Sequence, residues 1–473
     1  MHYTAPMNNS NENDVNRLLL QKKDGPGAKE IAEAGEYCRG YMDFLDSAKN
    51  EREAVSAAIS MAEKNGFAPW KEGSEFGRGN KVYAGRFGKA LLLAVRGRRP
   101  LAEGFSIIAA HIDSPRLDLK MKPLYEDKGL AFFDTHYYGG IKNYQWTGMP
   151  LALHGHIVRK DGKGIRVAIG EDPGDPVFFI ADLLPHLAKR QMEKPGKELV
   201  EAESLDILAG LYPYQGGKEE GAVKLNILRL LHEKYGITEE DLISAELQAV
   251  PAFKARDLGL DRSMVGAYGH DDKVCSYPAL TSLFSLNEPE FSACVVLADK
   301  EETGSWGIGG MRSEFFKGFI AGLAEAEGKG SSNAINMALA NSFCLSADVN
   351  TAFNPLYSEV FDPHGEADIG GGVVLFRYWG RGGKENTNDA NAEAVSALRK
   401  ILDEGGIRWQ TGEGGRVDAE ESGTLSKFFA GFNIPTVDLG VPLLSMHSPF
   451  EAAAKTDVLQ AHRAFAAFFN RRQ

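Results

Sequence analysis

The sequence predicts an α/β fold: a mixed, mostly parallel sheet covered by helices and interrupted by an inserted β-rich domain. Three observations carry this. After about residue 253, apolar runs of strand length alternate with helical periodicities, the pattern of a sheet covered on both faces. The same texture precedes residue 122. Between the two, the chain turns strand-rich with many Gly and His residues, then charged. The 473 residues exceed the ~250 to 300 at which a single core stops growing. We therefore divide the chain into 1–121 and 253–473, two parts of one α/β domain, and an inserted domain at 122–252.

In chain order, the first twenty-odd residues are polar and Asn-rich and read as a flexible lead. From Lys29 to about Ala48, Ile31, Ala34, Cys38, Tyr41 and Leu45 recur every three to four positions, as one buried helix face requires. Asn50 and Glu53 mark the start of a second helix, a cap with a carboxylate three residues on. KVYAGRF, KALLLAVRG and FSIIAAHID read as strands, as does much of the stretch from Tyr125 to Asp161. The charged run beginning at Ala188 reads as a solvated excursion. A helix follows over about Val223 to Tyr235, and Thr238 and Asp241 cap a short one. Then come strands at Ala293 to Ala298, Ser342 to Ala347, Gly372 to Arg377 and Thr436 to Leu439. A helix from Asp389 to Leu402 and a last one from Thr456 complete the alternation.

Lys plus Arg at 53 against Asp plus Glu at 65 leaves a net charge of −12, which repels phosphate backbones and anionic membrane surfaces. Nucleic acid is not an expected partner. No apolar run approaches the ~20 residues of a membrane span, and the amino terminus lacks the basic patch and apolar core of a secretory signal, so a cytoplasmic protein is expected. Cys38, Cys275, Cys294 and Cys344 are widely spaced, which argues against disulfides and against a structural zinc cluster.

In open α/β sheets ligands sit at the carboxyl ends of strands, so polar residues directly after apolar runs are informative. His111 ends one strand, with Asp113 two residues on, where a carboxylate can fix the tautomer of a metal-binding histidine; a lone strand-end histidine is also commonly structural. Asp271 and Asp272 stand side by side after a glycine-flanked turn. Such a pair is either solvated or neutralised by a cation. In CVVLADKEETGS a buried-type strand runs into Glu301 and Glu302; neighbouring residues on an extended chain point oppositely, so one can ligate a metal while the other faces water. Asp348 and His447 each follow a further apolar stretch. His2, His154, His156, His232, His270, His364 and His462 have no comparable setting and read as ordinary.

Together these residues form a ligand set suited to zinc, cobalt or manganese. If Asp271 bridges two ions, His111 and Asp348 complete one site and Glu302 and His447 the other. Glu301 is then the general base, and the reaction class is amide hydrolysis.

HIDSPRLDLK, LISAELQAVPAFKARDLGLDRSMVGAYGHDD, ADKEETGS, SADVN and LLSMHSPFE, with YYGGIKNYQWTGMPL and FFIADLLPHLA between them, resemble the aspartyl aminopeptidase and vacuolar aminopeptidase I family of co-catalytic metallo-aminopeptidases. The likeness runs from about Ile31 over nearly the whole chain. It implies a zinc-exopeptidase-like catalytic domain built from both ends of the chain. The inserted domain is then an oligomerisation domain that helps assemble a tetrahedral homo-dodecamer.

The resemblance further implies two divalent ions per subunit, zinc foremost, held by His111, Asp271, Glu302, Asp348 and His447. Glu301 is the implied base, Asp113 orients His111, and a cis peptide joins Asp271 to Asp272. Eukaryotic members carry a further histidine beyond PHLA that helps line a neighbour's site; here Arg190 stands at the closest position, so that contact is not expected. Members preferring acidic residues use a basic side chain in the region of GGVVLFRYWGRGGK, which makes Arg377 the candidate for substrate binding.

The expected substrates are peptides with a free, acidic or neutral N-terminal residue. Two other readings fit parts of this pattern. A two-metal deacylase or carboxypeptidase has similar ligands but aims a cation at a substrate carboxylate. A catalytically silent assembly protein would be free to lose ligands, yet all are present.

Overall fold

The computed structural model describes residues 25–471 apart from 218, 381 and 418–422. The polar lead read at the amino terminus lies outside the described residues.

The strand runs read at both ends of the chain meet in one nine-stranded sheet. Its order is Ala68–Pro69, Lys81–Arg86, Ala90–Val95, Ser292–Ala298, Phe105–His111, Phe343–Ser346, Thr436–Gly440, Val373–Phe376 and Trp409–Thr411. The central strands Ser292–Ala298, Phe105–His111, Phe343–Ser346 and Thr436–Gly440 run parallel, and the sheet is mixed toward its edges. Phe105–His111 and Ser292–Ala298 are buried at every residue. That is why they read as nearly continuous apolar runs: with both faces covered, few positions are left for a polar side chain.

Alternation along these strands divides the interior in two. Leu91, Leu93, Val95, Ile108 and Ala110 face a core shared with the helices Ala28–Ser47, Glu51–Lys64, His270–Phe284, Ala392–Glu404 and Lys455–Phe469. Leu92, Ala94, Ile107 and Ala109 face the opposite core, closed by Phe315–Ala326, Ser332–Ala340 and Ser426–Gly431. The Asn50 side chain accepts the Glu53 N–H at the start of Glu51–Lys64, and Glu53 accepts the Lys49 N–H in return. Both ends of that cap were legible in the sequence.

A six-stranded antiparallel sheet, ordered Gly164–Ile169, Leu151–Val158, Ala245–Pro251, Arg116–Asp127, Leu130–Tyr138 and Ile207–Gly210, has its own core. The helix Ala222–Tyr235 packs Val223 and Leu231 into it. Its strand Arg116–Asp127 begins ahead of residue 122, where the sequence texture changes. The charged run after Ala188 forms short, mostly exposed turns.

His154, which reads as ordinary in the sequence, is 2% exposed. Its Nδ1 lies 2.9 Å from Glu53 and its Nε2 3.1 Å from Glu171, while Arg166 and Lys254 bind the same two carboxylates. This buried network ties the start of Glu51–Lys64 to the antiparallel sheet. A single strand's alternation could not reveal it, because the partners are remote in sequence.

A third sheet, of five short strands, is not foreshadowed in the sequence: Arg256–Leu258, Met264–Ala267, Glu451–Ala454, Pro442–Leu444 and Asn350–Thr351. Strands of two to four residues are too short to show a period. This sheet positions the segment carrying His447.

Candidate metal centre

Parallel pairing brings three of the candidate positions to one sheet edge. Ala298 is in register with His111, and Ala109 with Ser346. Hence His111, the Glu301–Glu302 pair and Asp348 all leave neighbouring strands at the same carboxyl end. Asp271 arrives in the first turn of His270–Phe284, across a cis peptide bond to Asp272. His447 follows Pro442–Leu444 with a left-handed backbone, φ 63°.

These side chains converge on Asp271. One of its carboxylate oxygens, Oδ1, lies 3.0 Å from His111 Nε2, and Oδ2 lies 3.2 Å from His447 Nε2. Asp348 approaches His111 Nε2 to 3.7 Å, and Glu302 approaches His447 Nε2 to 3.5 Å. Ligand atoms of His111, Asp271 and Glu302 fall within 4.8 Å of one another, as do those of His111, Asp272 and Asp348. Asp272 faces the His111 backbone as well, accepting its N–H at 3.3 Å.

Whether this arrangement suits a cation can be decided from its hydrogen bonds. His111 Nδ1 is 3.1 Å from the carbonyl oxygen of Asp113, and His447 Nδ1 is 2.9 Å from that of Gly140. A carbonyl only accepts, so each Nδ1 donates, and in the neutral imidazole Nε2 then presents a lone pair toward Asp271. Asp271 Oδ1 and Glu302 Oε1 are buried and accept no hydrogen bond among the described residues. A neutral imidazole would set that lone pair against a carboxylate, so the space between them calls for a cation, whether a proton or a metal that both can ligate.

The charges point the same way. Against the pull of burial, Glu302 and Asp271 hold the His447 imidazolium up to about 11. Burial pushes the Glu301 carboxyl up to about 8, with Asp348 and Asp113 adding to the effect and His111 opposing it. A cluster this acidic draws in positive charge, as protons or as metal.

The surroundings fix the ligands through their backbones. The Asp113 carboxylate accepts the N–H groups of Glu301 and Glu302, each at 3.2 Å, and the Tyr138 hydroxyl at 2.8 Å. Burial opposes its ionisation, but His111 and Tyr138 hold its carboxyl down at about 2. Toward His111 it is the Asp113 carbonyl that accepts; the carboxylate oxygen is 3.4 Å away. The carboxylate thus stands beside His111 and also clamps the turn bearing the two glutamates.

That turn is a 3-10 helix, Glu301–Thr303, entered through Lys300 at φ 69°. The opposite projection expected from an extended chain is therefore not the geometry that separates Glu301 from Glu302.

Glu451 was not singled out by sequence reasoning. It is 2% exposed and clamps two ligands at once, accepting the Asp271 N–H at 3.2 Å and the His447 N–H at 2.9 Å. Only its place four residues after His447 could have drawn notice.

A cavity of about 420 Å³ opens over the cluster and is lined by His111, Asp271, Glu301, Glu302, Asp348 and His447, with Trp379, Lys427 and Met446 further round. Arg377 is not among its lining residues. Its guanidinium lies 3.3 Å from Asp389 and donates to the Ala390 carbonyl, with the side chain 52% exposed. Sequence position alone could not show that this arginine is held by Asp389 and the Ala390 carbonyl.

Close packing behind Asp348 yields a testable consequence. A Cβ on Gly440 would lie 1.4 Å from the Asp348 carbonyl oxygen, so Gly440→Ala must push the Asp348 backbone aside. Overpacking of this kind costs ~1 to 3 kcal/mol or more. The expected result is a lower melting temperature and a smaller zinc-induced rise in it, read from thermal melts with and without added zinc.

Residues 44–469 match the family model described as aminopeptidase I zinc metalloprotease (M18). The chain is 44% identical over 453 residues to a probable M18 family aminopeptidase 1 of Clostridium acetobutylicum, covering 95% of this chain and 97% of the relative. It is similar to the crystal structure of an M18 family aminopeptidase from Thermotoga maritima, with a TM-score of 0.91 and 41% identity over 95% of this chain and 100% of the other. The S. cerevisiae mApe1 dodecamer shares the fold at a TM-score of 0.74 and 22% identity, covering 94% of this chain and 97% of that one.

Proposed function

The chain belongs to the aminopeptidase I zinc metalloprotease (M18) family and is a metallo-aminopeptidase; on that premise we propose that His111, Asp348 and Asp271 hold one divalent ion and Asp271, Glu302 and His447 a second. Zinc suits this mixed imidazole and carboxylate set, with cobalt and manganese compatible. The observation that carries the proposal is the Asp271 carboxylate, one oxygen toward each imidazole nitrogen.

Bound there, the ions supply positive charge that polarises the peptide carbonyl and makes water acidic enough to attack near neutral pH. The chain's own residues do the rest. Glu301, on the cavity wall, takes a proton from the attacking water at its carboxylate and returns it to the leaving nitrogen. Asp113 keeps that carboxylate in place through the backbone of its turn. Nδ1 of each ligand histidine keeps its proton on a carbonyl, which leaves Nε2 free to ligate.

The substrates we propose are peptides with a free amino terminus bearing an acidic or neutral residue. Chromogenic amides of Asp, Glu, Leu and Ala, each with a free and with an acetylated amine, test this. Free-amine compounds should be cleaved and acetylated ones spared. Release of acetate from the blocked compounds, with the free-amine amides left intact, would favour the deacylase reading.

We also take residues 122–252 as an inserted domain through which chains associate, up to a tetrahedral dodecamer. The similarity to a dodecameric structure supports this. So do Leu183, Leu184, Leu187, Met192 and Tyr212, large apolar residues of this segment that are all more than half exposed. Light scattering of the full chain, with and without charged residues at Leu187 and Met192, tests it: the intact chain should form the larger particle. No described helix is long and apolar enough to cross a membrane. All four cysteines are buried as free thiols, which supports a cytoplasmic placement.

A further inference from the structure

The cavity wall carries a cation that ligand assignment leaves unused. Lys427 stands in the first turn of Ser426–Gly431, half-buried, and lines the cavity with Glu301 and Asp348. Among the described residues it makes no hydrogen bond or ion pair; its ammonium lies 5.3 Å from the centroid of the Phe428 ring. Burial lowers its pKa, and Glu301 and Asp348 are the carboxylates that oppose the shift. An ammonium stripped of part of its water and facing a cavity, with no acceptor of its own, is a donor awaiting one.

The loop that presents Lys427 is firmly anchored. Thr424 donates to Asp438 Oδ1 at 2.7 Å and lies 2.7 Å from the Ser426 hydroxyl, and all three residues are buried. Asp438 is in register with Ser346, two residues before Asp348. The ammonium doubles back over Gly423, where an added Cβ would stand 3.1 Å from Nζ. The missing side chain at Gly423 is what gives the ammonium its place.

We propose that Lys427 donates a hydrogen bond to the scissile carbonyl oxygen of the substrate and stabilises the negative charge that develops on it. This deepens the reading of the cavity as the active site and rests on it. Lys427 shares the wall of one cavity with Glu301, Asp348 and both candidate ligand histidines, so a substrate held there meets the ammonium and the carboxylates together. Trp379 and Met446 supply an apolar part of the wall suited to a neutral side chain.

In the reaction a C–O bond forms from water to the carbonyl carbon, and the carbonyl electron pair moves onto the oxygen beside Lys427. That pair returns as the C–N bond breaks, while Glu301 passes the water's proton to the leaving nitrogen. Lys427 keeps its own proton throughout. Preorganised donors of this kind are worth ~10² to 10³ in turnover.

The test uses full-length, zinc-loaded protein with Lys427→Met, Lys427→Arg and Gly423→Ala. Turnover and KM are measured on Leu, Ala, Asp and Glu amides. Calorimetry compares binding of a phosphinic dipeptide, tetrahedral and anionic like the transition state, with binding of free leucine. For Lys427→Met the expected result is a fall in kcat of ~10²-fold or more on all four amides, with KM little changed. Phosphinate affinity should drop by a similar factor, leucine binding and zinc content should hold, and Lys427→Arg should recover part of the loss. Gly423→Ala, which displaces the ammonium without removing it, should show a smaller loss in the same parameter.

A loss confined to Asp and Glu amides would overturn the proposal and make Lys427 a specificity cation. So would kcat within about twofold of the parent, or unchanged phosphinate affinity. Should Lys427→Met fail to fold, Gly423→Ala carries the same test. Glu301→Gln run alongside separates the two readings, since an inert Glu301 would indict the site itself.

Discussion

Glu301→Gln should cut turnover by ~10²-fold or more while both metal sites stay filled. Glutamine keeps the shape and loses only the ability to take a proton. Its backbone N–H still reaches Asp113, so the turn holding Glu302 is undisturbed. A hundredfold loss corresponds to ~2.7 kcal/mol of transition-state stabilisation, and it should appear in kcat with little change in KM, because the base acts on the transferring proton and not on substrate contacts. The check is steady-state kinetics beside elemental analysis. A variant that loses metal but keeps its rate per bound ion would exchange the roles of Glu301 and Glu302.

Removing Asp271 should be the more damaging change. Its carboxylate stands between both histidines, and among the described residues no other carboxylate pairs with both Nε2 atoms. Asp271→Asn preserves volume but sets a neutral amide against two imidazole nitrogens. Zinc content should fall well below the parent's, and activity should fall further than the ~10- to 100-fold that loss of an outer partner costs. A ligand that binds only the folded state raises its stability, so zinc should raise the melting temperature of the parent and leave that of Asp271→Asn nearly unchanged. Retention of the parent's zinc content would remove Asp271 from the centre of the site.

The parts of this molecule visible in its sequence are those where local pattern and tertiary role coincide. Phe105–His111 and Ser292–Ala298 are covered on both faces, so their apolar runs end abruptly at the sheet edge, and the polar residue at that break is the one proposed to act. His111, Asp348 and the Glu301–Glu302 pair were legible for this reason. His447 and Asp271 could be read as candidates, but their meeting depends on a third sheet whose strands are too short to leave a pattern.

What could not be read is what depends on contacts remote in sequence. Asp113 follows His111 by two positions and so reads as its orienter; what the sequence does not show is that the same carboxylate, 3.4 Å from His111 Nδ1, also accepts the backbone N–H groups of Glu301 and Glu302, far along the chain. Glu451 holds two ligands through their N–H groups, a role open to any carboxylate that the fold delivers there. Arg377 has the right charge in the right strand region, but Asp389 and the Ala390 carbonyl hold it outside the cavity lining. Lys427 lies in the stretch TLSKFFA, which carries no motif, and its place on the cavity wall with Glu301 depends on the anchoring of Thr424 to Asp438.

If the Asp271 cluster binds a pair of metal ions, peptide cleavage depends on them. The most direct measurement is a zinc titration of exhaustively chelated protein, following bound zinc per chain and hydrolysis of a Leu or Asp amide together. The expected result is no cleavage at the start and recovery that is complete near two bound ions per chain. Undiminished cleavage by protein stripped of metal would contradict the account.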